Sequence, residues 1–168
     1  FRISGIFLSK SLLTVMNNQY LYNMKLLIIN GPNLNLLGKR QPEIYGDKTF
    51  DSYFSELQFG FQKIELAGYQ SNVEGELINK LHEAQDDGFD GIILNPGAYT
   101  HTSLAIADAV ASIDVAVVEV HISNVMNREK IRHISLISKN AVGTISGFGL
   151  DGYKLAIQSF LNRRESNK

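Results

Sequence analysis

Residues 25–33 read Lys25-Leu26-Leu27-Ile28-Ile29-Asn30-Gly31-Pro32-Asn33, an apolar run that ends in a short polar turn. Apolar, β-branched-rich stretches also end in short polar runs at residues 70–72, 95–101, 121–124 and 147–149. In an open sheet of parallel strands, ligands bind outside the carboxyl ends of the strands, where loops from several strands converge. The repeated pattern therefore predicts a functional site at one edge of a parallel sheet.

Strands and helices are predicted to alternate along the chain. Continuous apolar strands require helices on both faces of their sheet. Runs typical of strands lie at Lys25–Asn30, near Tyr69–Val73, and at Phe89–Leu94, Val115–Val120 and Ala141–Ser146. Helices are predicted after a Thr49 cap, with apolar positions from Phe50 to Ile64, and then at Glu74–Asp87, Ser103–Ile113 and Asp151–Arg163.

This alternation predicts an α/β fold with a flavodoxin-like, doubly wound, five-stranded parallel sheet in the order 2-1-3-4-5, because right-handed crossovers leave few other arrangements. A Rossmann dinucleotide-binding fold is the alternative. The turn after the first strand lacks G-x-G-x-x-G, and the sequence has no Walker-type G-x-x-x-x-G-K-[ST], so neither motif supports phosphate binding.

The loop Gly31–Lys48 is long for a strand-to-helix connection, which is typical of a lid or a binding loop.

The composition favours a small-molecule ligand. The 168 residues fit one domain, and 16 basic residues against 17 acidic ones, with no long basic run, give no reason to expect nucleic acid or a membrane surface as partner. No apolar run approaches the roughly 20 residues that span a bilayer. The absence of cysteine, and four histidines without close ligand pairing, lead us to expect no metal site.

The first 23 residues precede the pattern of strands and helices. They are mildly apolar but lack a small-residue cleavage site, so we do not expect a signal peptide. We interpret residues 1–23 as an N-terminal extension of unassigned structure and residues 24–168 as a single catalytic domain. We expect a cytoplasmic location.

Tyr45 and Arg40 lie on the long first loop. Tyr45 either packs the loop down as an ordinary aromatic residue or acts as a base. A free tyrosine has a pKa near 10, so a phenolate near pH 7 needs about 4 kcal/mol of preferential stabilisation. A neighbouring guanidinium supplies it, because arginine does not lose its charge.

His121 is predicted at the end of the fourth strand, and Glu119, two residues earlier, lies on the same face. A lone histidine is usually structural, but a carboxylate that orients the ring and raises the imidazole pKa favours a general acid. His101 is predicted at a helix start, where the helix dipole favours a neutral imidazole that binds a ligand. We assign His82 and His133 to the surface or to packing.

Ser123 and its backbone amide are candidates for binding a carboxylate. Arg128 and Arg132 share one face if their segment is helical. That face is either part of the site or an ordinary solvated basic surface.

Six motifs in order make the resemblance to a known family strong. From Met24 to about Leu161 the chain resembles type II 3-dehydroquinate dehydratase, and only residues 1–23 fall outside the pattern. The family's glutamate before the motif proline is often replaced, and here it is Gln41. The matching motifs lie at residues 31–35, 40–46, 70–75, 95–103, 119–124 and 128–132.

The resemblance implies conversion of 3-dehydroquinate to 3-dehydroshikimate and water, by anti elimination through an enolate and without a cofactor. It implies that Tyr45, assisted by Arg40, removes a proton from C2. It implies that His121, beside Glu119, protonates the departing C1 hydroxyl, and that Asn33 holds a water or the enolate oxygen. The step belongs to the shikimate pathway of aromatic amino acid biosynthesis or to quinate breakdown.

The resemblance also implies how the substrate is bound and how the chains assemble. The family forms homo-oligomers, trimers that assemble into dodecamers. A non-catalytic flavodoxin-like module and an inactive scaffold are the alternatives, but neither a phospho-acceptor pocket nor a flavin phosphate loop is visible, and the candidate catalytic residues are present. The implied binding residues are Asn95, His101 and Arg132 at ring hydroxyls, Ile122 and Ser123 at the carboxylate, Asp108 in a neighbouring subunit's site, and Arg128.

Overall fold

The computed structural model describes residues 24–38 and 48–166, except for the side chain of Glu165. In these residues, five parallel strands form one sheet in the order β2-β1-β3-β4-β5, which confirms the predicted class and order. The predicted N-terminal extension and residues 39–47 of the first loop lie outside the described residues. The strands are β1 (Met24–Asn30), β2 (Ile64–Gln70), β3 (Gly91–Asn95), β4 (Val117–His121) and β5 (Gly143–Ser146).

Helices connect the strands; one begins at the predicted cap Thr49, and another is capped by Ser103, which was predicted as the first residue of its helix. The Thr49 hydroxyl accepts a hydrogen bond from the backbone N–H of Ser52 at 3.2 Å, and the Ser103 hydroxyl accepts one from the N–H of Ile106 at 2.8 Å. Such bonds satisfy donors that a helix start leaves unpaired. The helices are α1 (Phe50–Gly60), α2 (Glu74–Asp86), α3 (Leu104–Ser112) and α4 (Asp151–Ser166).

The core lies on both faces of the sheet. In β1, Leu26 and Ile28 pack with residues of α1 and α4 on one face, whereas Leu27 and Ile29 pack with residues of α2 and α3 on the other. All four side chains are almost completely buried. Burial of both faces explains why the strand is continuously apolar rather than alternating.

The prediction for the second strand was wrong by several residues. The strand β2 begins at Ile64, which we had assigned to the preceding helix, and ends before the predicted segment Tyr69–Val73 is complete. The helix α1 ends at Gly60 instead. Ile64 and Leu66 are buried while Glu65 between them is exposed, so the period at the start of β2 is two, as in a strand. We assigned Ile64 to the helix because the spacing of three to four residues between apolar positions continues beyond Gly60.

No helix in the described ranges is long and apolar enough to cross a membrane.

Candidate active site

The carboxyl ends of the strands bring the predicted polar runs together. In the register of the sheet, Asn30 lies beside Gln70 on one side and Asn95 on the other, and His121 lies beside Ser146. A cavity opens at this edge, as expected for an open α/β sheet. The predicted site residues that line it are Asn33, Asn95, His101, His121, Ile122, Ser123, Arg128 and Arg132.

The turn that follows β1 is held against the end of β3. The backbone N–H of Gly31 donates to the carbonyl of Asn95 at 2.7 Å, and a Cβ on Gly31 would lie 2.6 Å from the carbonyl oxygen of Pro96. Glycine is therefore required for this close approach. Asn33 has a φ of 66°, in the left-handed region, and its N–H donates to the side-chain oxygen of Asn72 at 2.9 Å.

Glu119 and His121 form a buried pair at the end of β4. The side chains lie on the same face of the strand, as predicted, and His121 Nε2 is 2.8 Å from Glu119 Oε1. Because a carboxylate only accepts, Nε2 carries a proton and donates it to this bond. The Nδ1 atom of His121 is thus the ring nitrogen left to gain or lose a proton.

Three hydroxyl groups complete the surroundings of Glu119, and the sequence reasoning missed all of them. Thr100 donates to Oε1, Ser135 donates to both carboxylate oxygens at 2.9 Å, and Thr144 donates to Oε2 at 3.4 Å. Serine and threonine are too common for such roles to be recognised from composition. Only Thr100, directly before His101 in a matching motif, carried a signal.

The hydrogen bonds decide the charge of Glu119. Burial by itself raises the pKa of this carboxyl, but hydrogen bonds from His121 and Thr100, attraction to His121 and the bond from Ser135 together lower the pKa below its usual range. Donors to the carboxylate favour its charged form. Glu119 is therefore an anion that holds His121 in one orientation.

His101 lies beside His121, but it does not begin a helix as predicted. It ends a 3₁₀ turn, Gly97–His101, and Ser103 caps α3 after it. Its Nδ1 is 2.7 Å from the carbonyl oxygen of Ile134, so Nδ1 carries a proton and donates it, and Nε2 is the other ring nitrogen. The two imidazole rings lie 14° from parallel, with centroids 6.3 Å apart.

Arg128 and Arg132 both line the cavity, although their segment is not an α-helix. Two short 3₁₀ turns, Val125–Asn127 and Lys130–Arg132, replace it. Arg128 Nη1 is 3.4 Å from the Ser123 hydroxyl, and Arg132 Nε is 3.0 Å from Glu129. The arginines come together through these turns and not through helical spacing.

Two of the predicted site residues that the structure describes, Glu119 and Asp108, are not among the residues that line this cavity. Asp108 is exposed on α3, and the premise that it shares a helix with His101 is wrong, since α3 begins at Leu104. Arg40 and Tyr45 lie outside the described residues. Leu37 and Gly38, which lead into their loop, are described, and Leu37 lines the cavity.

The described part of the chain contains no group of three or more His, Cys, Asp or Glu side chains arranged to hold a metal ion. The polar groups around the cavity are instead imidazoles, guanidinium groups, amides and hydroxyls. Such groups suit an anionic, hydroxyl-bearing organic molecule.

Comparison with known proteins gives a consistent result. The family model for dehydroquinase class II matches residues 24–161. A 3-dehydroquinate dehydratase of Bacillus pumilus is 54% identical over 134 residues, which cover 79% of this chain and 90% of that protein. One of Clostridium perfringens is 47% identical over 142 residues, covering 83% and 99%. A crystal structure of type II dehydroquinase from Butyrivibrio crossotus superposes with a TM-score of 0.80 at 48% identity, covering 82% and 97%.

Proposed function

Since this chain belongs to the class II dehydroquinase family and acts as a 3-dehydroquinate dehydratase, we propose that the cavity at the sheet edge binds 3-dehydroquinate and carries out its dehydration. The observation that supports this use of the cavity is His121, paired with the buried anion of Glu119 and lining the same cavity as two arginines. The activity is that of a hydro-lyase.

The base is Tyr45, assisted by Arg40. The chain supports the share of Arg40 in this assignment, because Arg40 follows the cavity-lining Leu37 by three residues, a reach of at most about 10 Å. The phenolate of Tyr45 takes the proton from C2, and the electron pair of that C–H bond moves toward the neighbouring ketone to form an enolate.

The acid is His121. With Nε2–H donated to Glu119, its Nδ1 carries the proton that passes to the C1 hydroxyl, which leaves as water. The enolate then collapses to the C1–C2 double bond conjugated with the ketone, so atoms and charges balance. Asn33 holds a water or the enolate oxygen, because preorganised donors stabilise a negative oxygen that develops in the transition state.

The remaining residues hold the substrate. Ser123 and the Ile122–Ser123 backbone receive the carboxylate, with Arg128 close to the Ser123 hydroxyl. Asn95, His101 and Arg132 bind ring hydroxyls, and the free Nε2 of His101 suits a hydroxyl. Each assignment pairs a charge or donor of the substrate with an opposite group in the cavity.

The direct experiment is an assay of the purified protein with 3-dehydroquinate, following the absorbance of the conjugated enone in the product. We expect the absorbance to rise without any added cofactor. A flat trace from folded protein would contradict the proposed function.

We also propose that the chain assembles into trimers and dodecamers and that Asp108 enters the site of a neighbouring subunit. Asp108 is exposed on α3 and does not line its own chain's cavity in the described structure, which suits a contribution to another chain. The exposed apolar side chains of Leu104, Ile131 and Ile134 offer surface for such contacts.

The shared site predicts complementation between two inactive variants. Asp108→Ala and Tyr45→Phe proteins, unfolded together and refolded as mixed oligomers, are expected to regain activity at about a quarter of their sites if the chains mix randomly around a closed ring. The measurement is activity after mass analysis confirms mixed oligomers. The two variants refolded separately serve as controls, and mixed oligomers that stay equally inactive would exclude a shared site.

We further propose that residues 24–168 are one catalytic domain, that the protein is cytoplasmic, and that its reaction serves the shikimate pathway or quinate breakdown. A variant lacking residues 1–23 is expected to keep its kcat and KM within about twofold, because β1 and every candidate site residue follow that segment. The assay above measures both constants. Loss of assembly or activity would assign the segment a structural role.

A further inference from the structure

Tyr153 joins two strand ends at the edge of the sheet that carries the cavity. It comes from α4, and its side chain is completely buried. Its hydroxyl donates to Asn30 Oδ1 at 2.8 Å and accepts from Asn95 Nδ2 at 2.9 Å. Asn30 and Asn95 are themselves buried and are register partners at the ends of β1 and β3.

The direction of these hydrogen bonds is determined. The backbone N–H of Gly97 donates to Asn95 Oδ1 at 3.3 Å, so the oxygen of the amide points to Gly97 and the nitrogen to Tyr153. Burial raises the pKa of Tyr153, and the phenol therefore keeps the proton that it donates to Asn30. The second N–H of Asn95 has no acceptor among the described residues, and Asn95 lines the cavity.

We propose that Tyr153 is a positioning residue that fixes the amide orientation of Asn95 for substrate binding. This inference rests on the proposed role of Asn95 at a ring hydroxyl. Without the hydroxyl of Tyr153, the long bond from Gly97 is the one hydrogen bond from the described residues that opposes a half-turn of the amide. That rotation exchanges the N–H and the carbonyl oxygen, and a substrate hydroxyl then meets the wrong group.

The chain contains a matched control for the loss of a buried phenolic hydroxyl. Tyr53 is also buried, and its ring lies 6.3 Å from that of Tyr153, centroid to centroid. Its hydroxyl has no hydrogen-bond partner among the described residues. Tyr53→Phe therefore removes the same atom from the same aromatic cluster without touching Asn95.

The test compares steady-state kinetics of Tyr153→Phe, Tyr53→Phe and Asn95→Ala with those of the parent protein. Loss of one oriented hydrogen bond is expected to raise KM for 3-dehydroquinate about three- to tenfold in Tyr153→Phe, with a smaller change in kcat. Tyr53→Phe should stay within twofold. If Tyr153 acts through Asn95, the double variant Tyr153→Phe/Asn95→Ala has the same KM as Asn95→Ala alone.

Three outcomes would overturn the inference: an unchanged KM in Tyr153→Phe, an equal rise in Tyr53→Phe, or additive effects in the double variant. An active parent protein would leave the proposed function intact in each case. If circular dichroism shows that Tyr153→Phe does not fold, Asn30→Leu replaces it. That change removes the acceptor of the Tyr153 proton, so the hydroxyl can turn; an unchanged KM there would also exclude the role of Tyr153.

Discussion

Tyr45→Phe is expected to lower kcat by about 10²- to 10⁴-fold, the usual contribution of a general base, while KM changes far less. The substitution keeps the ring and removes only the atom that we propose takes the proton from C2. Because phenylalanine is as apolar and nearly as large as tyrosine, an effect confined to kcat indicates loss of the base. The measurement is steady-state turnover of 3-dehydroquinate across a range of pH.

A matched control uses another tyrosine of this chain. Tyr69 lies on β2, is half-buried and does not line the cavity, so Tyr69→Phe should leave both constants unchanged. Turnover of Tyr45→Phe within threefold of the parent would show that Tyr45 is not the base and would return it to the role of a packing residue.

His121→Ala should lower kcat by a similar factor, about 10²–10⁴-fold, because it removes the proposed acid and leaves the buried Glu119 anion without its imidazole partner. The structure sharpens this expectation, since His121 Nε2 is committed to Glu119 at 2.8 Å and only Nδ1 can transfer a proton. Activity is measured as kcat and as its dependence on pH, with the variant's fold checked by circular dichroism.

The neighbouring histidine provides the comparison. His101 donates through Nδ1 to a backbone carbonyl and is proposed to bind and not to donate a proton in the reaction. His101→Ala should therefore show more of its effect in KM than in kcat, and its pH profile should keep both limbs. One limb of the pH profile reports the general acid. If His101→Ala lost that limb and His121→Ala kept it, the two assignments would be reversed.

Most of the fold was predictable because its signals are local. The buried strands and the helix starts at Thr49 and Ser103 depend on residues within a few positions of one another, and right-handed crossovers then leave few strand orders. The error at β2 has a local cause as well. The edge strand β2 has fewer buried residues than the central strands, and Ile64 satisfied the helical and the strand periods equally.

The site was predictable where a motif or a strand period carried it, and not elsewhere. The alternation of β4 predicted that Glu119 and His121 share a face. Spacing along a helix was the wrong argument for Arg128 and Arg132, which come together through two short turns. It was also wrong for Asp108 and His101, because the Ser103 cap separates them.

By itself, the sequence determined the class of the fold, the family, and the edge of the sheet that carries the site. Those properties follow from the periods of apolar residues and from motifs in a set order. Only the tertiary structure decided which neutral side chains support the reacting ones. Ser135 reaches Glu119, and Tyr153 reaches Asn95 across 58 positions of the chain. Hydrogen bonds over such separations depend on how helices and loops pack on the sheet, and no local pattern encodes them.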